Sequence, residues 1–144
     1  CYSTMSLYTK LWIGGKYVDA VKQGTFTNYN PATNLPICEV AAGTAEDIDL
    51  AVAAAKNCLY GSEWGYASTV SQRATFLRSL GDVLTTNKDA IARMDCLDEG
   101  KPLREANGDL DDSITMCGYF ATLIEASKVH DKYSTHWDLI QIQF

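Results

Sequence analysis

The sequence is short of the residues from which many sites are built. It has two histidines, His130 and His136, both close to the end of its 144 residues. Neither has the partners of a nucleophile–base pair beside it. Five cysteines, Cys1, Cys38, Cys58, Cys96 and Cys117, are scattered without a CxxC pair, a spacing that fits neither a zinc site nor a disulfide framework. They read as isolated small apolar residues of an intracellular reducing compartment, cytoplasm or organelle matrix. No basic run reaches five residues and the net charge is −6, so nucleic acid is not expected as a partner. Apolar runs such as AVAAA at 51–55 fall far below the ~20 residues that span a bilayer, and no membrane insertion is expected. A secretory leader pattern is also missing. Residues 1–10, which start at a cysteine rather than a methionine, read as an N-terminal extension.

What is present is a folded composition, 47% hydrophobic and 21% charged, in a chain long enough for one core. LWI (11–13) and KYV (16–18) flank Gly14-Gly15, and two glycines accept the positive φ angles of a tight hairpin. TFTNY (25–29) reads as a strand closed by Asn30-Pro31, and PICEV (36–40) as another. The period then changes. Thr44 and Asp47 form a capping-box-like start in which the hydroxyl is expected to accept from the first turn. Ile48, Val52, Ala55 and Leu59 continue it as a helix over 45–59. Gly61 and Gly65 bracket a loop carrying Trp64; a second helix is expected over 70–84, with Phe76, Leu80 and Val83 on one face. Asn87 offers a fresh N-cap before Ala90, Ile91, Met94 and Leu97. Gly100 stops that helix, and Pro102 suits the first residue of the next. Leu103, Ala106, Leu110, Ile114, Cys117, Ala121 and Ile124 then repeat at spacings of three and four. This predicts a long amphipathic helix, and Gly108 within it costs only about 1 kcal/mol.

The densest chemistry lies in DEGKPLREANGDLDD, residues 98–112, preceded by Asp95. A calcium loop of the EF-hand type is opposed twice. Begun at Asp109, it places Ile114 where glycine is required, and it breaks the apolar stripe. On a helix the carboxylates separate. Asp111, Thr115, Thr122 and Glu125 lie opposite the stripe, on the solvated face. Asp109 and Asp112, three apart, share a flank with Met116 and Tyr119. That flank is either a wet helix edge or a place for a cationic ligand.

The ordered succession LWIGGKYVDA, NYNPATNLPICEV, AEDIDLAVAAAK, the Trp64 loop, SQRATFLRSLGDVL and LDEGKPLREANGDLDD resembles the N-terminal part of NAD(P)-dependent aldehyde dehydrogenases. The betaine-aldehyde and aminoaldehyde branch is the most similar, over residues 11–126. The resemblance implies an α/β family fold. This chain would supply its N-terminal portion, short strands with a hairpin first, then three or four amphipathic helices, and an incomplete nucleotide-binding domain. It implies NAD or NADP as cofactor and oxidation of an amino- or betaine-aldehyde to the acid. It also implies that the nucleophilic cysteine, the general-base glutamate and the cofactor site are not among these residues, so no catalytic or cofactor-binding residue is assigned and no activity is expected from this chain alone. Two sites carry over as implications. Asp98 and the Tyr29 carbonyl match ligands of a structural sodium or potassium ion, an incomplete set. Asp109 and Asp112 match acidic residues at the mouth of the aldehyde tunnel.

After about Ala126 the resemblance ends, and residues 127–144 read as a divergent tail. Its last residues alternate, with Ile140, Ile142 and Phe144 on one face, as in a strand that pairs with another chain; a non-native end reads equally well. Helix stripes without the rest of such a fold would be exposed. Other protein chains are therefore expected as partners, through those faces or the C-terminal strand. A non-catalytic accessory subunit is the alternative to an enzyme.

Overall fold

The computed structural model describes residues 7–61 and 64–126. Two antiparallel hairpins come first and three helices follow. β1 (Leu11–Ile13) and β2 (Lys16–Val18) pair with Trp12 opposite Tyr17. Gly14 and Gly15 close the turn at φ 59° and 78°, where a side chain would be strained. β3 (Thr25–Asn30) pairs with β4 (Leu35–Ala41), and a bulge between Asn28 and Tyr29 sets Tyr29 opposite Pro36. The hairpin turn is built by Asn30. Its buried side-chain oxygen accepts from the backbone of Ala32 at 2.8 Å and of Thr33 at 3.3 Å, a local bond that asparagine makes readily.

α1 (Ala45–Gly61) starts where the sequence places it, and Thr44 and Asp47 do make its cap, through the carboxylate half of the box. The Asp47 carboxylate, not the Thr44 hydroxyl, is the acceptor. It takes the Thr44 backbone N–H at 2.8 Å and the Val21 N–H at 2.9 Å, with the Thr44 hydroxyl 2.8 Å away. Asp47 is 3% exposed, and these N–H groups hold its carboxyl below the ordinary value of 3.8. The sequence reading missed this because Val21 lies 26 residues away.

α2 (Val70–Glu99) is one continuous helix of 30 residues, not two. Asn87 does not start a new helix. Its amide donates to the Val83 carbonyl at 2.8 Å, and the hydroxyls of Thr85 and Thr86 donate to Gly81 and Asp82 in the same way. Side chains that cap a helix when its backbone is free bond back to the preceding turn when it is not. Neither glycine nor proline breaks the 82–99 run. The true cap is Thr69. Its hydroxyl accepts from Gln72 N at 3.2 Å, and the Gln72 side chain accepts from Thr69 N at 2.7 Å. Gly100, at φ 71°, ends the helix.

α3 (Leu103–Ala126) runs back along α2, its start one residue past Pro102, whose carbonyl accepts from Glu105 and Ala106. The seam is made of small residues: Ala74, Gly81 and Ala92 on α2, and Ala106, Cys117 and Ala121 on α3, with Leu97 and Leu110. A Cβ on Gly81 would sit 3.4 Å from that of Cys117, so the helices approach closely. Arg78–Glu125 at 2.5 Å and Lys88–Asp111 at 2.6 Å pair along the rim and confirm the antiparallel sense. Phe76, Leu80 and Val83 do share one face of α2, but that face is exposed and the alanine–glycine face beside it is the one covered. The tail at residues 127–144, with its expected alternating strand, lies outside the described residues.

Candidate functional site

The loops that join these elements bring the acidic stretch to the end of the α2–α3 hairpin. The asparagine-pinned turn after β3 carries Pro31 against the end of α2; a Cβ on Gly100 would lie 2.9 Å from Pro31 Cγ. This contact brings together the NPAT and GKP segments, seventy residues apart in the chain. It also seats Asn28 beside Asp98, whose Oδ1 accepts from the Asn28 amide at 2.6 Å. Asp98 and Tyr29, expected as ion ligands, are thus neighbours through Asn28. Tyr29 stands opposite Pro36, which has no N–H, so the Tyr29 carbonyl receives no ladder bond from the residue facing it. Carboxylate and carbonyl oxygens are hard donors of the kind that hold hard cations. Among the described residues, no three His, Cys, Asp or Glu side chains gather as a metal-ligand set.

Asp109 and Asp112 lie on the exposed flank of α3, in line with Met116 and Tyr119, as their spacing requires on an unbroken helix. They are not equivalent. The Lys101 ammonium donates to Asp109 at 2.7 Å, lies 3.2 Å from Glu99, and reaches Asp95 at 3.8 Å. Bonds to Asp109 first and Glu99 second push its pKa up. Asp112 is exposed and has no side-chain partner among the described residues. Asp111, read from sequence as solvated, is exposed but pairs across the helices with Lys88. Asn28 and Lys101 are the residues that sequence reasoning passed over. A signal existed for Lys101, one of only two cations in a run of carboxylates; none existed for Asn28.

At the other end of the hairpin, Arg73 ties the Trp64 loop to α2. Its guanidinium lies 5.8 Å from the Trp64 ring centroid, its Nε donates to Ser68 at 2.7 Å, and Trp64 packs on Phe76 at 4.4 Å between centroids. Cys38, Cys96 and Cys117 are free thiols, and Cys117 is buried in the helix seam. Among the described residues no helix is long and apolar enough to cross a membrane.

Comparison with known proteins gives consistent matches. The model of the aldehyde dehydrogenase family matches residues 17–141, running past Ala126 into the segment read as a divergent tail. The chain is 35% identical over 131 residues to aminoaldehyde dehydrogenase 2 of Solanum lycopersicum, covering 90% of this chain and 26% of that protein. It is 37% identical over 126 residues to the chloroplastic betaine aldehyde dehydrogenase of Amaranthus hypochondriacus, covering 85% and 25%. Among solved structures, betaine aldehyde dehydrogenase from Staphylococcus aureus in complex with NAD+ superimposes with a TM-score of 0.77 at 31% identity, covering 85% of this chain and 24% of that one. The chain spans about a quarter of the length of these relatives.

Proposed function

The chain belongs to the aldehyde dehydrogenase family, and from that premise we propose that it contributes the opening part of an NAD(P)-dependent oxidoreductase for aldehydes that bear an amino or trimethylammonium group. The observation that carries the substrate class is the α3 flank. Two carboxylates one turn apart, open to solvent, continue into exposed Met116 and Tyr119. Carboxylates attract an ammonium group, and an aromatic face adds to the attraction. The relatives' names, aminoaldehyde and betaine aldehyde dehydrogenase, belong to the same charge class.

The described residues do not fit the nicotinamide cofactor. Both sheets are antiparallel pairs, whereas dinucleotides bind at the carboxyl ends of parallel strands. No residue here is assigned to the cofactor or to the chemical step; the thiolate, general base and hydride acceptor belong to other parts of such an enzyme. A monovalent cation does fit the chemistry of Asp98 and the Tyr29 carbonyl. These would hold it together with further oxygens, and its role would be to fix the β3–β4 turn on the end of α2.

A chimera tests the substrate class. Residues 11–126 replace the matching segment of the Solanum lycopersicum enzyme, with and without Asp109→Asn and Asp112→Asn. The expected outcome is a several-fold rise in KM for 3-aminopropionaldehyde in the double variant, with KM for propionaldehyde unchanged. An equal change for both aldehydes sinks the assignment. NAD reduction by the 144-residue chain with any aldehyde would overturn the placement of the chemistry elsewhere.

A second reading, an accessory subunit held by other protein chains in a reducing compartment, is favoured by one observation. Ile48, Val52 and Tyr60 of α1 and Phe120 and Leu123 of α3 are exposed together with the Phe76 face, more apolar surface than a lone soluble chain usually shows. Light scattering after size exclusion checks it: a stable monomer of 15.8 kDa rules it out.

A further inference from the structure

α2 carries two apolar faces. One, at Ala74, Gly81 and Ala92, is the seam with α3. The other, at Phe76, Leu80 and Val83, lies roughly a third of a turn round the helix. On α3 a similar rotation from the seam residues Cys117 and Ala121 brings up Met116, Phe120 and Leu123. The ion pairs Arg78–Glu125 and Lys88–Asp111 mark one rim of the hairpin. Both apolar sets are rotated away from that rim, so they share the opposite side. The same pairs fix the levels, and Leu123, Phe120 and Met116 stand beside the run from Phe76 to Val83. The result is one face, two helices wide, whose six large side chains are between 38% and 57% exposed. Charges stand only at its ends. Asp109 and Asp112 lie toward the α2–α3 turn, and Arg73, with its guanidinium over Trp64, lies at the far end.

We propose that this face pairs with the same face of a second copy of the chain, about a two-fold axis crossing the helices, and closes a four-helix bundle. This rests on the reading that other chains hold this one, and it names the partner. A helical hairpin that is apolar on a second side buries that side by doubling into such a bundle. The charges select the axis. Crossing the helices, it sets the acidic end of one copy toward the Arg73 end of the other. An axis along the helices would crowd four carboxylates, Asp109 and Asp112 of both copies, at one end, and like charges so placed oppose association. Each α2 then lies along the partner's α2 in the opposite sense, and Met116 meets Leu123 of the partner subunit. Because each copy uses the same face, the assembly closes at two. The face measures roughly 20 Å each way, toward the small end of specific interfaces, so the dimer is expected to dissociate on dilution.

Sedimentation equilibrium of the 144-residue chain over a range of concentrations tests the pairing, and a dimer of twice 15.8 kDa is expected. Phe120→Glu should raise its dissociation constant about tenfold or more, by placing a charge in an apolar contact, and should leave helicity intact because Phe120 lies outside the seam. Ile48→Glu, on α1, should leave the constant unchanged. In a mixture of methionine-methyl-labelled and unlabelled unchanged chains, isotope-filtered NOEs should join the Met116 methyl to the partner's Leu123. This readout needs no variant to fold. NOEs from Met116 to the partner's Val83 instead would place the axis along the helices and overturn the proposal. A dimer indifferent to Phe120→Glu overturns it too, while the reading that other chains hold this one stands. A chain monomeric at every concentration sinks both, and leaves the face as the seat of the remaining three quarters of the family fold.

Discussion

The α2–α3 hairpin and α1 carry the same kind of sequence signal and meet different ends. Both show apolar residues at helical spacing, and both are helices. In the hairpin the alanines and the glycine of one face lie against their counterparts along the whole length, fully buried at Ala74, Ala92, Ala106 and Ala121. In α1 the stripe Ile48, Val52 and Leu59 is 62%, 46% and 38% exposed. That helix is held at its first turn, where Asp47 takes the N–H of its own cap residue Thr44 and that of distant Val21, and β1 lies alongside. Periodicity establishes that a helix has an apolar face. It does not say whether anything covers it.

Substitutions can break or sharpen this contrast. The largest effect is expected at Gly100, where the hairpin turns. Alanine there adds a left-handed penalty of about 1–2 kcal/mol and drives a Cβ to 2.9 Å from Pro31, for a total loss of about 2–4 kcal/mol with the overpacking included. Urea unfolding measures it, and a loss under ~0.5 kcal/mol would mean the NPAT turn is not seated on α2. Next comes Ala106→Leu, which forces bulk into the seam and should cost about 1–3 kcal/mol. Its counterpart Ile48→Ala on α1 should stay within about 0.5 kcal/mol. Equal costs for the two would show that the α1 face is covered in solution.

Asp47→Asn should loosen α1 alone. Amide exchange would accelerate over 45–61 while 103–126 keeps its protection. The pH dependence has a definite sign. Because the folded carboxyl titrates below its ordinary value of 3.8, its stabilisation is complete above that value and is lost as pH falls through the lower folded one. Helicity of α1 should therefore drop at acid pH in the unchanged chain and lose that dependence in Asp47→Asn. The smallest effect is a gain. Gly108 is exposed, with open space where a Cβ would stand, and Gly108→Ala should stabilise α3 by up to about 1 kcal/mol. Urea unfolding shows it.

Much of the candidate site was legible before the structure. Gly100 as a helix stop and Asp109 and Asp112 on one flank follow from motif and spacing, whereas Asp98 and Tyr29 came only from the family resemblance. Thr69-x-x-Gln72 was equally legible, a capping box that went unread. The Asn87 error shows why the rest was not. Its amide has two uses, capping a new helix or bonding back to Val83, and the choice depends on whether the backbone there is already helical. The packed length of α3 and the Lys88–Asp111 pair accompany the second outcome.

The sequence by itself determined the elements: the Gly-Gly hairpin, the NPAT turn, the helix starts and stops, and the family to which their order belongs. These depend on φ preferences, caps and apolar period, which act over a few residues. Only the tertiary structure decided which apolar faces are covered, that Asn28 bonds Asp98 across seventy residues, and that Lys101 sits on Asp109 while Asp112 meets no side-chain partner among the described residues. Such choices depend on distances between segments far apart in the chain. A carboxylate's partner is whichever donor the fold delivers within about 3 Å.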